Sequence, residues 1–433
     1  MKTIKTDFAR AIGGLALAAT IMTPVLAAPA APAAHAKAPA AAKASAAKHH
    51  IAKSYIVYVG GYTRISAKGI YGIRFTPATG NMEPLGLIQE ALNPSWIAQD
   101  HAHKFIFAGS EHPAKGQPTT GNSVSAYARD AQTGKLTFIN TVSTKGVGPA
   151  HLSVDHTGKV VVVANFGSSS VATFPVHADG SLGEAATVAP EIGTVAGPAV
   201  AKDENGLSPT DPHIHCVMIT PDNRYVLSCN VGMGKVTAYR LNTKTAALTQ
   251  VGEPFVGTPL PGKRWRPRHL AIHPSGKFLY IMDSSTQITT AAFDPVKGTI
   301  KEIQSLPIDA GYAPGQATEG SEVRVDHAGR FVYTSTHGVD ATLKSVPLEG
   351  TINVFAVNPR THKLKPIQRI TTGGAAPRTF VLDPSGKFLL VGNENSGNVT
   401  EFAVDQKTGR LSSTGKVVTG IPEPSAFLFD AEK

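Results

Sequence analysis

The chain has 433 residues, including 42 glycines and 31 prolines, with 17% charged residues and a formal net charge of +10. So turn-rich a composition argues against a helical protein. The two cysteines, Cys216 and Cys229, are too few for a disulfide framework, and no dense Lys/Arg stripe with interleaved aromatics is present to bind nucleic acid.

Lys2, Lys5 and Arg10 precede an apolar run over 11–26, and the small residues Ala27, Ala28 and Ala30 follow. This is the pattern of a secretory signal peptide, expected to span 1–28. The run is short for a bilayer span and is broken at Thr23-Pro24, so cleavage is expected rather than anchoring. Residues 29–53, nearly all Ala, Pro, Lys and His, read as a flexible basic linker. These two segments carry over half of the formal +10, which leaves a mildly basic remainder. The mature protein is expected to be periplasmic or secreted, monomeric and without an integral membrane span.

Beyond the linker one pattern recurs: Pro-x-x-apolar-x-apolar-Asp/His-x-x-Gly-Lys/Arg, followed by an apolar run. It is read in "NPSWIAQDHAHKFIFAG", "GPAHLSVDHTGKVVVVAN", "HIHCVMITPDNRYVLSCN", "RPRHLAIHPSGKFLYIMD", "GSEVRVDHAGRFVYTST" and "PRTFVLDPSGKFLLVGN". The copies lie roughly fifty to sixty-five residues apart, close to the longer propeller periods. Each continues into a second signature such as "GTINVFAVNPRTHKLKPI", so each repeat predicts two hairpins and four strands. Four strands per repeat make a propeller blade. The chain closes on "EPSAFLFDAEK", the first half of the pattern, and the domain opens on "YIVYVGGYT", which resembles the second half. Six whole units and one assembled from both ends predict an all-β fold over 54–433. The expected architecture is a seven-bladed β-propeller, its ring closed by N- and C-terminal strands sharing one blade.

The innermost strands of a propeller begin at one mouth of the central channel, so residues just after the repeated Pro converge there. Ala150 and Ser425 are small at this position, but His215, Arg268 and Arg378 also occupy it, and one residue later stand His151, His269 and Glu322. His213 lies two residues before His215. Arg268 and Arg378 sharing a mouth repel each other unless a carboxylate or an anionic, oxygen-rich ligand lies between them. His103, His156 and His273 fall in hairpin turns and read as surface residues. No Cys/His zinc spacing or Gly-rich phosphate loop is present, and the arginines oppose a cation, so neither metal nor cofactor is expected. The Gly/Pro-rich insert over 183–212 is placed to roof the mouth. Cys216 and Cys229 flank one hairpin turn at opposed positions. Free or partially oxidised thiols are expected there rather than a structural disulfide, because a cross-strand bridge strains disulfide geometry.

The words "YVGGYT", "NPSWIA", "GPAHLSVD", "DPHIHCVMITPDNRYVLSCNVG", "PRHLAIHPSGKFLYIMD" and "SEVRVDHAGRFVYTST" resemble those of the seven-bladed lactonase family. That family includes propeller-type 6-phosphogluconolactonases and the fungal carboxy-muconate lactonising enzyme. The resemblance implies hydrolysis or formation of a lactone without a nucleotide cofactor, the partner being a small-molecule lactone or sugar acid. It implies catalytic positions at His215 of the P-H-x-H motif, Arg268 of P-R-H and Glu322 of S-E. Arg268 would polarise the carbonyl, and Glu322 or His215 would activate water. His151, His213, His269, His337 and Arg378 are expected to bind substrate. Two positions depart from the family pattern: Asp283-Ser284 replaces the common Asn-Glu, and Ser335-Thr336-His337-Gly338 replaces Ser-Asn-Arg-Gly. The sequence is thus compatible with an exported, 6-phosphogluconolactonase-like lactonase. It is also compatible with a non-catalytic periplasmic propeller that binds acidic small molecules or a protein partner.

Overall fold

The computed structural model describes residues 51–64, 66–112, 121–193, 211–309, 311, 317–339, 346 and 348–432. The expected signal peptide, the linker as far as residue 50 and most of the 183–212 insert lie outside the described residues. The described residues form 28 strands in seven four-stranded antiparallel sheets. Six sheets use consecutive strands, and the seventh has the order Pro424–Ala431, Tyr55–Gly61, Gly69–Thr76, Asn81–Glu90. The fold is therefore the expected seven-bladed propeller, closed by one shared blade. We number that blade 1. The innermost strands of blades 2 to 7 are Pro94–Gln99, Pro149–Val154, Ile214–Ile219, Pro267–Ile272, Thr318–Val325 and Pro377–Leu382. No helix among the described residues is long and apolar enough to cross a membrane.

The repeated pattern encodes the turn that leads out of the innermost strand. Asp155 accepts hydrogen bonds from the amides of Lys159 (2.6 Å) and Val160 (2.7 Å) through one carboxylate oxygen. Asp100 does the same for Lys104 (2.8 Å) and Phe105 (2.7 Å), and Asp326 and Asp383 repeat the motif. In blade 4 the hydroxyl of Thr220 replaces the carboxylate, accepting from the amide of Tyr225 at 3.1 Å. The Gly of the pattern is required by a positive φ, 68° at Gly158 and 70° at Gly386. Asn223 and His103 take that conformation at the equivalent places.

Packing between blades explains the apolar composition of each second strand. Val160–Asn165 (VVVVAN) and Tyr225–Asn230 (YVLSCN) are buried along their whole length, because neighbouring blades cover both faces. The outermost strand of blade 2, Leu136–Ser143, keeps only Leu136 buried. Cys216 and Cys229 pair directly across strands as free, buried thiols. Blade 1 is gripped from both sides: Ile56, Tyr58 and Ala426 pack with Ile97, Ile106 and Tyr127 of blade 2. Val57, Phe75 and Phe427 pack with Leu390 and Val399 of blade 7. Arg129 is ion-paired with Asp430 of the closing strand, and both side chains are almost fully buried. The His103 ring, expected to be a surface feature, also reaches Asp430 at 2.9 Å.

Candidate active site

In every blade the innermost strand carries a bulge at the mouth end, where it pairs with the second strand. The unpaired residues are Ser425, Ser95, Ala150, His215, Arg268, Ser321 with Glu322, and Arg378. A bulge re-aims a side chain out of the strand's regular alternation. It thus explains why the position after the repeated Pro, rather than the position before it, holds His215, Arg268 and Arg378.

The second residue after the repeated Pro, or after Gly320 in blade 6, forms a second tier. There His269 and Glu322, on adjacent blades, meet with Nδ1 of His269 3.1 Å from Oε1 of Glu322. His269 Nε2 in turn lies 3.0 Å from His215 Nδ1. The carboxylate can only accept, so His269 carries its proton on Nδ1 and its Nε2 accepts from Nδ1–H of His215. The Nε2 of His215 is left as the free basic nitrogen. Burial, reinforced by Arg268 and His269, holds His215 well below the ordinary histidine value, and burial also lowers His269. Burial alone would raise Glu322, but Arg324 at 3.1 Å and His269 outweigh it and bring the carboxyl down to about 2.

Arg268 and Arg378 both have buried counter-charges. Arg268 Nη1 lies 3.1 Å from Oε1 of Glu319, whose other oxygen is 3.9 Å from Nε2 of His337. Burial keeps His337 neutral down to about pH 4, with Arg268 and Arg378 adding to the effect against the pull of Glu319. Arg378 donates to the Tyr62 hydroxyl at 2.6 Å, and Tyr62 donates to Glu111 at 2.6 Å. Glu394 lies 3.8 Å from Arg378 Nε and joins it to Arg64, which also holds Glu423 at 3.1 Å. Below this level Trp96 packs on His151 with ring centroids 4.0 Å apart, and both rings lie 5.4 Å from that of His269. His213 stacks on Phe166 at 4.3 Å and directs its Nδ1 to the Phe166 carbonyl, beside His215 rather than in its hydrogen-bonded chain. Among the described residues no group of three His, Cys, Asp or Glu side chains converges as a metal site.

Residues 56–429 match the family described as Lactonase, 7-bladed beta-propeller. The chain belongs to the seven-bladed β-propeller lactonase family. A 6-phosphogluconolactonase of Bacillus subtilis is 33% identical over 348 residues, covering 79% of this chain and 89% of that protein. A second 6-phosphogluconolactonase, from Formosa agariphila, is 26% identical and covers 79% of this chain and 90% of its own length. The solved periplasmic gluconolactonase of Pseudomonas aeruginosa superposes with a TM-score of 0.75 at 28% identity, covering 88% of this chain and 100% of that one.

This lactonase propeller gathers His151, His215, Arg268, His269, Glu322, His337 and Arg378 at one mouth, with His213 on its flank. Sequence reasoning missed Tyr62, Glu111, Glu319 and Glu394. Three of them share one place in the repeat, the residue after the second-strand partner of the last residue before the bulge, which reads Tyr62, Glu111, Phe166, Val231, Ser284, His337 and Glu394 around the ring. That register was available as a signal. Glu319 has no such counterpart, because it lies upstream of the bulge on the longer strand Thr318–Val325.

Just before Ser284, Asp283 replaces the Asn found at residues 165, 230 and 393. Its carboxylate accepts from the amides of Arg266 and Ser285, yet burial pushes it up to about 6. A folded-state value above the ordinary carboxylate range means that the fold holds the proton more tightly than the unfolded chain. Stability therefore falls as pH rises from about 4 through 6 and stays reduced above that. Asp283→Asn is expected to add about 1–3 kcal/mol at pH 7.5, an advantage that shrinks below pH 5. Paired thermal melts across that range check it, and an unchanged or lowered Tm at pH 7.5 refutes it.

Proposed function

We propose that the protein hydrolyses a sugar-acid lactone at the propeller mouth, using its own side chains and no metal or cofactor. The observation that carries this reading is the chain Glu322–His269–His215, which ends in a free imidazole nitrogen beside Arg268. His215 takes a proton from water, and the water oxygen attacks the lactone carbonyl. Negative charge developing on the carbonyl oxygen is met by guanidinium N–H groups of Arg268 that Glu319 does not occupy. The tetrahedral intermediate collapses by breaking the ring C–O bond. The imidazolium returns its proton to the departing alkoxide, and the open hydroxy acid results. His269 and Glu322 act through His215 and are positioning residues. Glu322 is the poorer base of the two candidates, since Arg324 and His269 keep it ionised and occupied. Arg378 and His337 hold the rest of the sugar, with His151 and His213 as further polar contacts.

The names of the Bacillus and Pseudomonas relatives support a sugar lactone as substrate, and the periplasmic location of the latter supports export. The test is a lactone panel followed by acid release as a function of pH. His215 must be neutral to act, so kcat/KM is expected to hold level from pH 8 down past 6.5 and to fall only in more acid solution. An acid limb above pH 6.5 removes His215 as the base. If no lactone opens, while sugar acids bind, the non-catalytic binding propeller is the correct reading.

A further inference from the structure

Blade 5 enters the ring through the segment Lys263-Arg264-Trp265-Arg266, which runs into Pro267 and the catalytic candidate Arg268. Trp265 turns inward and is buried against Phe255. Arg264 and Arg266, on either side of it, remain partly exposed. Arg264 donates to the carbonyl of Gly232 at 2.9 Å, and Lys263 donates to that of Ser285 at 2.9 Å. The Nε of Arg266 is buried and has no hydrogen-bond partner. Among the described residues, Arg64, Arg268, Arg324 and Arg378 at this mouth have ion-pair partners within 4.0 Å, and Lys263, Arg264 and Arg266 have none. Arg264 is depressed by burial and by the charge of Arg266, so the two guanidinium groups repel each other.

The repeat itself shows what is missing. At the position after the second strand, blades 2 and 7 carry Glu111 and Glu394, whose charges face Arg378. Blade 5 has Ser284 there, with its amide bonded to the Arg266 carbonyl at 2.9 Å. Asp283, just before Ser284, acts on Arg266 by its charge, but it spends both carboxylate oxygens on backbone amides and hydrogen-bonds to no guanidinium. Arg266 also feels Glu319, which is committed to Arg268. Blade 5 thus presents a surplus of positive charge at the edge of a mouth that is otherwise charge-matched.

We infer that Arg264 and Arg266, with Lys263 at the rim, form an oxyanion subsite that receives a phosphate or carboxylate on the substrate, at the end remote from the lactone carbonyl. This deepens the lactonase reading and rests on it for the word substrate. Guanidinium groups suit either anion, because each can present two parallel N–H donors to two oxygens. Ser284 matters by being uncharged: a Glu at that position would supply the counter-charge from within and displace the ligand.

The experiment has two readouts on the full chain. In the first, inorganic phosphate is titrated against wild type, the Arg264→Ala/Arg266→Ala double variant and Ser284→Glu, followed by thermal shift in low salt. Phosphate is expected to stabilise wild type and to lose its effect in both variants. In the second, kcat/KM is compared for glucono-1,5-lactone, its 6-phosphate and glucaro-1,4-lactone. Wild type is expected to favour an anionic lactone, phosphate or carboxylate being named by the larger ratio. The double variant should lose that preference by about tenfold or more, and raised salt should shrink it in wild type. Phosphate stabilisation without any lactone hydrolysis would leave the subsite standing and remove the lactonase reading. Hydrolysis with no anion preference, and no phosphate effect on wild type, overturns the subsite and leaves the lactonase. Should Ser284→Glu fail to fold, the double variant decides alone.

Discussion

Replacing His215 with alanine is expected to lower kcat for lactone opening by about a hundredfold to ten-thousandfold, the range for loss of a positioned general base. Its Nε2 is the one nitrogen of the Glu322–His269–His215 chain that no neighbour in the chain occupies. Glu322→Gln is expected to act through the same nitrogen. An amide can present N–H to His269, which would reverse the proton order along the chain and leave His215 with its Nε2 protonated. The expected result is a lower kcat with KM little changed, since neither substitution removes Arg268 or Arg378. The two should also be far from additive, because a base already lost cannot be misoriented. Steady-state kinetics of the two single variants and the double variant decide the matter. A His215→Ala protein within threefold of wild type, or full additivity, overturns the chain as the catalytic device.

Deleting residues 424–433 is expected to abolish the folded state. The closing strand supplies the innermost place of blade 1 and pairs with Tyr55–Gly61 along its length. Phe427, Leu428 and Phe429 pack into the seams with both neighbouring blades. At roughly 1.5–3 kcal/mol for each large apolar side chain, their loss alone removes about 5–9 kcal/mol. That is comparable with the whole stability of an ordinary domain. Deletion also leaves Arg129 buried without Asp430, and strands the edge of Tyr55–Gly61 in water. Aggregation or loss of cooperative melting is the expected readout. A truncated chain as soluble and heat-resistant as the parent would show that blade 1 closes by other means.

The fold was legible because its unit of repetition is a local one. An Asp, a left-handed Gly and a basic residue at fixed spacing build the same turn wherever they occur, as at Asp155–Gly158 and Asp383–Gly386. The mouth was half legible. Counting from the repeated Pro located His215, Arg268 and Arg378, but the bulges that aim them are a property of strand pairing and leave no mark on composition. The pairings Arg268–Glu319 and Arg378–Tyr62–Glu111 join residues from different blades, so neighbouring sequence holds no trace of them. The choice of general base between Glu322 and His215 was open because the contacts that link them through His269 also cross from blade to blade. Arg324, two residues on in the same strand, pairs with Glu322 and keeps it ionised.

The shared blade has a consequence in time as well as in space. Tyr62, which orients Arg378, follows the first strand, and Glu423, which holds Arg64, immediately precedes the last. The seam of the ring and one wall of the mouth are therefore the same structure. Pairing the two ends of a chain is the most non-local contact a fold can demand, and such contacts form late. Blades 2 to 7 can each gather their strands from neighbouring sequence, but the wall around Arg378 must wait until the ring shuts. On a growing or refolding chain, binding competence is thus the last property acquired and the first forfeited when the seam opens.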